Sequence, residues 1–126
     1  MTVLLRTRVT EIGPEVADLA EGGVVILFAD GSPPELAEVS VLHKVEEGPS
    51  AGAPGVGASI VIGAVSATIT AIGATAWDKV QEMGHVVISF NDAANAERPG
   101  EICASAVETE KLVAALQQDA VITISA

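Results

Sequence analysis

Apolar and polar residues alternate at the start of the chain. In VLLRTRVT, residues 3–10, Val3, Leu5, Thr7 and Val9 fall on one side, and Leu4, Arg6, Arg8 and Thr10 on the other. A period of two predicts a strand, because successive strand side chains point to opposite faces. Gly13 and Pro14 end it. A second apolar run, VVILF at 24–28, follows Gly22 and Gly23 and stops at the turn pair Asp30 and Gly31. The next segment, SPPELAEV, carries a helix signature, with Ser32 as cap, Pro33 at the first helical position and Glu35 three residues after the cap.

From Val39 the two-residue period returns, placing Val39, Val41, His43 and Val45 on one face and Ser40, Leu42 and Lys44 on the other. Residues 48–59, GPSAGAPGVGAS, hold four glycines and two prolines and predict a loop. Strands are expected over about 60–62 and 65–72. TAWDKVQEMG then predicts a short helix with Thr75 as cap and Gly84 as its stop. It leads into the strand HVVISF, where Val86, Ile88 and Phe90 oppose His85, Val87 and Ser89. A polar loop runs from Asn91 to Gly100. After it come a brief strand, EICASA, a helix, ETEKLVAALQQ, and a closing strand, AVITIS. Several short strands in one small domain, residues 1–126, with no repeat, predict an all-β barrel or sandwich.

Between Gly48 and Trp77 no residue is charged, and ASIVIGAVSATITAIGATAW has the length of a membrane helix. Its recurring Gly, Ser and Thr, and the lack of flanking bases, favour two buried strands joined near Gly63. Hydrophobic residues make up 49% of the chain, yet Phe28, Trp77 and Phe90 are its aromatic residues, so small aliphatic side chains must fill the core. Seventeen acidic residues against six basic ones give a net charge of −11. That balance repels phosphate backbones and excludes nucleic acid as a partner. It suits a basic protein face, although acidity also serves solubility. The single cysteine, Cys103, permits no internal disulfide, and a reducing, cytoplasmic location is the expectation. The first residues carry charge and lack the apolar core of a secretory signal.

Motif chemistry is sparse. Two histidines without HExxH spacing do not make a zinc site, no GxxxxGK[ST] or GxGxxG supports nucleotide binding, and the GxSxG turn of a serine hydrolase is absent. Cys103, beside Ile102 and small neighbours, reads as an inert, partly buried thiol. Glu46 and Glu47 read as a solvated edge. His43 stands out because imidazole is both neutral and nucleophilic near neutral pH, and an apolar surround keeps its lone pair free.

The segments TRVTEIG, ILFADGSPPELAEVSVLH, TAIG, EMGHVVISFND and ERPGEI, in that order across most of residues 5–103, resemble the glucitol/sorbitol-specific IIA component of the bacterial phosphoenolpyruvate-dependent sugar phosphotransferase system. The resemblance implies a partly open β-barrel of short, mostly antiparallel strands with one to three short helices. It also implies a cytoplasmic carrier that takes a phosphoryl group from the phosphocarrier protein HPr and passes it to a cysteine on the IIB component of a membrane sugar permease, with no cofactor, metal or membrane insertion of its own. The histidine matching the family's phosphorylated residue is His43; the second histidine, His85, matches an orienting or stabilising neighbour. Phosphoryl transfer asks mainly for positioning and charge stabilisation, so one exposed imidazole on a rigid barrel is sufficient, with the surrounding valines as the centre of a docking contact. The contrasting reading is a non-catalytic barrel of the same fold that binds a protein or ligand through its acidic face. An apolar strand edge would leave room for a second copy to pair.

Overall fold

A computed structural model describes residues 2–31 and 33–126. Among them eight strands form one sheet, in the spatial order β1-β3-β2-β6-β7-β5-β4-β8, and the sheet closes on itself. The strands are β1 (Val3–Ile12), β2 (Val24–Ala29), β3 (Val41–Glu47), β4 (Ser59–Ile62), β5 (Val65–Ile72), β6 (Val86–Ser89), β7 (Glu101–Ala104) and β8 (Val121–Ser125). The β2–β3 and β6–β7 pairs are parallel and the other junctions antiparallel, so the barrel is mixed but mainly antiparallel, as expected. Pairing of β8 with β1 closes the ring, where the resemblance implied a partly open one. Closure satisfies the strand edges that an open sheet would leave bare.

Alternation builds the interior. Along β5, Val65, Ala67, Ile69 and Ala71 are buried, while Ser66 and Thr68 face solvent. β4 and β5 form the hairpin that accounts for the uncharged stretch: Ile62 sits opposite Val65 across a turn at Gly63 and Ala64. Among the described residues no helix is long and apolar enough to cross a membrane. The core is mostly aliphatic, with Leu5, Val9, Leu27, Val41, Ile60, Ile62, Ile69, Ile88, Ile102, Ile122 and Ile124 all buried. Each such side chain contributes roughly 1.5–3 kcal/mol by leaving water.

Among the described residues four short helices accompany the barrel, one more than expected. The added one is α1 (Val16–Glu21), whose Val16 and Ala20 are buried. It packs on β2 and on α4 (Thr109–Ala115). α2 (Pro34–Ala37) starts one residue later than predicted, with Pro33 as cap and Pro34 first in the helix, where a missing N–H leaves nothing unsatisfied. The expected cap, Ser32, lies outside the described residues. α3 (Ala76–Met83) has Thr75 at its N-cap, but the hydroxyl makes no cap hydrogen bond. Its C-cap is Gly84, the stop that the sequence indicated, and the structure shows it left-handed. Val39 lies in a turn, and β3 begins at Val41.

The 48–58 loop fixes α3 against the barrel. Trp77 Nε1 and Gln81 Nε2 both donate to the Ser50 carbonyl at 2.8 Å, and the Ser50 amide donates to Leu4 O at 2.8 Å. Gly84, at the far end of α3, is thereby held over the barrel wall beside Ala29 and His43.

Candidate functional site

His43 shares its face of β3 with Val41, and that face looks into the barrel. Opposite it on β1 stands Val9, and Thr7 is two residues along on the same inward face. Thr7 is the polar member of a face otherwise built from leucine and valine, and it is fully buried. Its hydroxyl lies 2.6 Å from His43 Nδ1. The other ring nitrogen, Nε2, lies 2.7 Å from the Gly84 carbonyl. A carbonyl only accepts, so Nε2 carries the proton and donates it, and Nδ1 receives the Thr7 O–H. The imidazole is thus fixed in one tautomer, with both nitrogens occupied.

The expectation of an exposed imidazole is corrected here: His43 is 1% exposed. The cause is the end of α3. Gly84 has φ of +61°, which turns the chain back over β3, and a Cβ there would lie 2.9 Å from Ala29 Cβ and 3.2 Å from His43 Nε2. Glycine alone gives both the left-handed turn and the close approach. Burial pulls the His43 pKa below the ordinary imidazole value, because desolvation disfavours the charged ring; the bond to Gly84 opposes this only in part. The ring is neutral at physiological pH. The valines do not surround an accessible site either: Val9 and Val41 belong to the core, and Val45 packs partly against it.

His85 follows Gly84 directly, yet no hydrogen bond joins the two rings. Its Nδ1 donates to Leu27 O at 3.1 Å. The ring also packs on Phe28, with centroids 4.9 Å apart. His85 is half-buried, and it anchors the chain whose preceding carbonyl holds His43.

The two glutamates after His43 turn away from it. A register shift between Arg6 and Thr7 lets both reach arginines on β1: Glu47 pairs with Arg6 at 3.3 Å and Glu46 with Arg8 at 2.9 Å. These pairs are exposed, so they add little stability, but they neutralise carboxylates near the histidine strand. Glu11, Glu15, Asp18, Glu21, Asp30, Glu35 and Glu38 are also exposed and have no basic residue among them in sequence. Half-exposed apolar side chains lie nearby in sequence: Met83 precedes Gly84, and Leu36 projects from α2.

Cys103 belongs to a different cluster. Its thiol points at Glu101, which also accepts the Ser89 hydroxyl at 2.7 Å and the Glu97 amide at 3.2 Å. The Ser89 bond holds the Glu101 carboxyl below the usual range, whereas burial and the nearby carboxylate push the Cys103 thiol up. The thiol is fully buried, where partial burial was expected, and a raised pKa disfavours the reactive thiolate. Among the described residues no group of histidines, cysteines and carboxylates could hold a metal ion.

Sequence reasoning placed Thr7 on one face with Val3, Leu5 and Val9 without assigning it a role. The signal was present, a lone polar residue among Val3, Leu5 and Val9. Gly84 was read only as a helix stop.

A family model described as PTS system glucitol/sorbitol-specific IIA component matches residues 4–123. The chain is 33% identical over 102 residues to the PTS system glucitol/sorbitol-specific EIIA component of Shigella flexneri, covering 81% of each chain. It matches the Escherichia coli (strain K12) protein of the same description with the same identity and coverage. The crystal structure of a PTS system IIA component from Enterococcus faecalis V583 is similar in fold, with a TM-score of 0.75 and 20% identity, over 96% of this chain and 99% of that one.

Proposed function

The chain belongs to the family of glucitol/sorbitol-specific IIA components of the sugar phosphotransferase system, and from that premise we propose that it is a phosphohistidine carrier, accepting a phosphoryl group from HPr on His43 and passing it to a cysteine of a IIB component during sorbitol/glucitol uptake. The supporting observation is the His43 ring: neutral, buried, and held at both nitrogens, with Nε2 against the Gly84 carbonyl at the end of α3.

The reacting atom in this reading is Nε2. Nδ1 faces Thr7 inside the wall, where no partner reaches. For transfer, the Gly84 carbonyl must withdraw and the proton on Nε2 must leave. Docking of a partner on the end of α3 supplies the occasion, and the exposed carboxylates between Arg8 and Lys44 suit a basic docking face. His85, tied to Leu27 and Phe28, is the neighbour that sets where Gly84 rests. Charge stabilisation at the phosphoryl group then comes mainly from the docked partner.

Intact mass after incubation with phosphoenolpyruvate, Enzyme I and HPr tests this reading. One acid-labile phosphoryl group is expected on the wild type and on His85→Ala, and none on His43→Gln. The burial of His43 is also what a non-catalytic barrel of this fold would have. Under that reading, with partners shown to be active, the wild type stays unmodified.

A further inference from the structure

We propose that Thr7 is the positioning residue of this site: its hydroxyl is a reversible partner of His43 Nδ1, donating to it in the resting protein and accepting from it when the ring carries the phosphoryl group. The inference rests on the carrier reading and adds a residue to it.

Two geometric facts carry it. The resting ring bears its proton on Nε2, the atom that must become the nucleophile, because Nε2 donates to the Gly84 carbonyl at 2.7 Å. In that form the lone pair points the wrong way, into the wall at Thr7. Attack through Nε2 therefore requires the other tautomer, with the proton on Nδ1. That proton would sit in a fully buried position where the nearest group is the Thr7 hydroxyl, 2.6 Å away. A hydroxyl is one of the few groups that can both donate and accept at one place by rotating. A valine there could do neither, and a carbonyl could serve only the reacting tautomer.

The step balances as follows. The Nε2 lone pair forms the new bond to phosphorus, and the donor's bond to phosphorus breaks, its electron pair leaving with the donor. Before this, with the Gly84 carbonyl withdrawn, the ring changes tautomer by giving the Nε2 proton to solvent and taking one from solvent at Nδ1, with no net gain of protons. Nδ1 then keeps its proton through the transfer, so the phosphorylated ring carries the positive charge of an imidazolium. The bond from Nδ1–H to Thr7 Oγ1 then becomes charge-assisted and stronger than its resting counterpart. On transfer to a thiolate the phosphorus–Nε2 bond breaks, its electron pair returns to the ring, and the neutral Nδ1–H imidazole remains. Thr7 thus favours the state that forms during transfer over the one that precedes it, which is the difference that raises a rate.

Thr7 lies inside the wall and does not meet a docking partner, so its loss should act on turnover rather than on docking. Phosphoryl uptake from phospho-HPr by Thr7→Val, nearly the same shape, should show kcat lowered about tenfold to a hundredfold, the scale set by one buried hydrogen bond, with KM for phospho-HPr unchanged. Thr7→Ser, which keeps the hydroxyl, should recover most of the rate. A Thr7→Val protein with wild-type kcat, a loss confined to KM, or a Thr7→Ser protein as slow as Thr7→Val would each overturn the proposal. The two failures read differently. A wild type that takes up no phosphoryl group removes the carrier reading and Thr7's part in it, whereas an active wild type beside an unimpaired Thr7→Val removes Thr7 alone.

Discussion

Replacing Gly84 with alanine separates the geometry of the cap from its chemistry. At φ of +61° a residue with a Cβ is strained by about 1–2 kcal/mol. The added methyl also meets Ala29 Cβ at 2.9 Å and His43 Cε1 at 3.1 Å, neither of them a flexible side-chain end. Forcing a methyl into a packed contact costs about 1–3 kcal/mol. Together these destabilise the fold by roughly 2–5 kcal/mol. With a urea m-value of roughly 1–3 kcal/mol/M for a small domain, the unfolding midpoint should fall by about 1 M or more at unchanged slope. The matched control is Gly22→Ala. Gly22 has φ of −88°, and a Cβ there would find only Leu19 O at 3.4 Å, an ordinary contact. That variant should be neutral, or more stable by up to about 1 kcal/mol through the unfolded state. Urea unfolding of both, followed by the fluorescence of the buried Trp77, decides the matter. A Gly84→Ala protein within about 0.5 kcal/mol of wild type, the scale of an ordinary surface substitution, would refute the argument that Gly84 is tightly seated over His43.

The other predictions concern the site and the core. Because burial lowers the His43 pKa, the unfolded chain binds a proton below about pH 6.5 that the folded one refuses. Stability is therefore full above that pH and falls as the pH drops from about 6.5 toward the folded value; His43→Gln should flatten this slope in urea midpoints measured across pH. Cys103 should resist a thiol reagent in the native protein and react at the rate of unfolding, and rapid native labelling would contradict its burial beside Glu101. Ile122→Ala, at a fully buried barrel position, should cost about 2–5 kcal/mol in the same unfolding assay, and a loss below about 1 kcal/mol would mean that the barrel interior is not packed there.

Strand character was legible wherever one face is wet, as in β1 and β5, because alternation there is a direct trace of burial. The spatial order was not. β3 lies between β1 and β2, and β6 beside β2, through pairings far apart in sequence that leave no periodic mark. α1 escaped notice because its six residues present only Val16 and Ala20 to the core, and its N-cap makes no side-chain bond. His43 was found as the residue of interest, but its burial was not, since the groups that enclose it come from Thr7 and Gly84, 36 and 41 positions away. Its apolar face on β3 was read as a docking surface when it is the barrel wall. The same pattern of valines supports either, and only closure of the sheet through β8 and β1 distinguishes them.

Nuclear magnetic resonance of the phosphorylated protein, with imidazole nitrogens labelled and phosphorus coupling observed, tests the central claim most directly. The account predicts one phosphoryl group bonded to Nε2 of His43, with a proton on Nδ1. Phosphorus bonded to Nδ1 of His43, or to either nitrogen of His85, would contradict it.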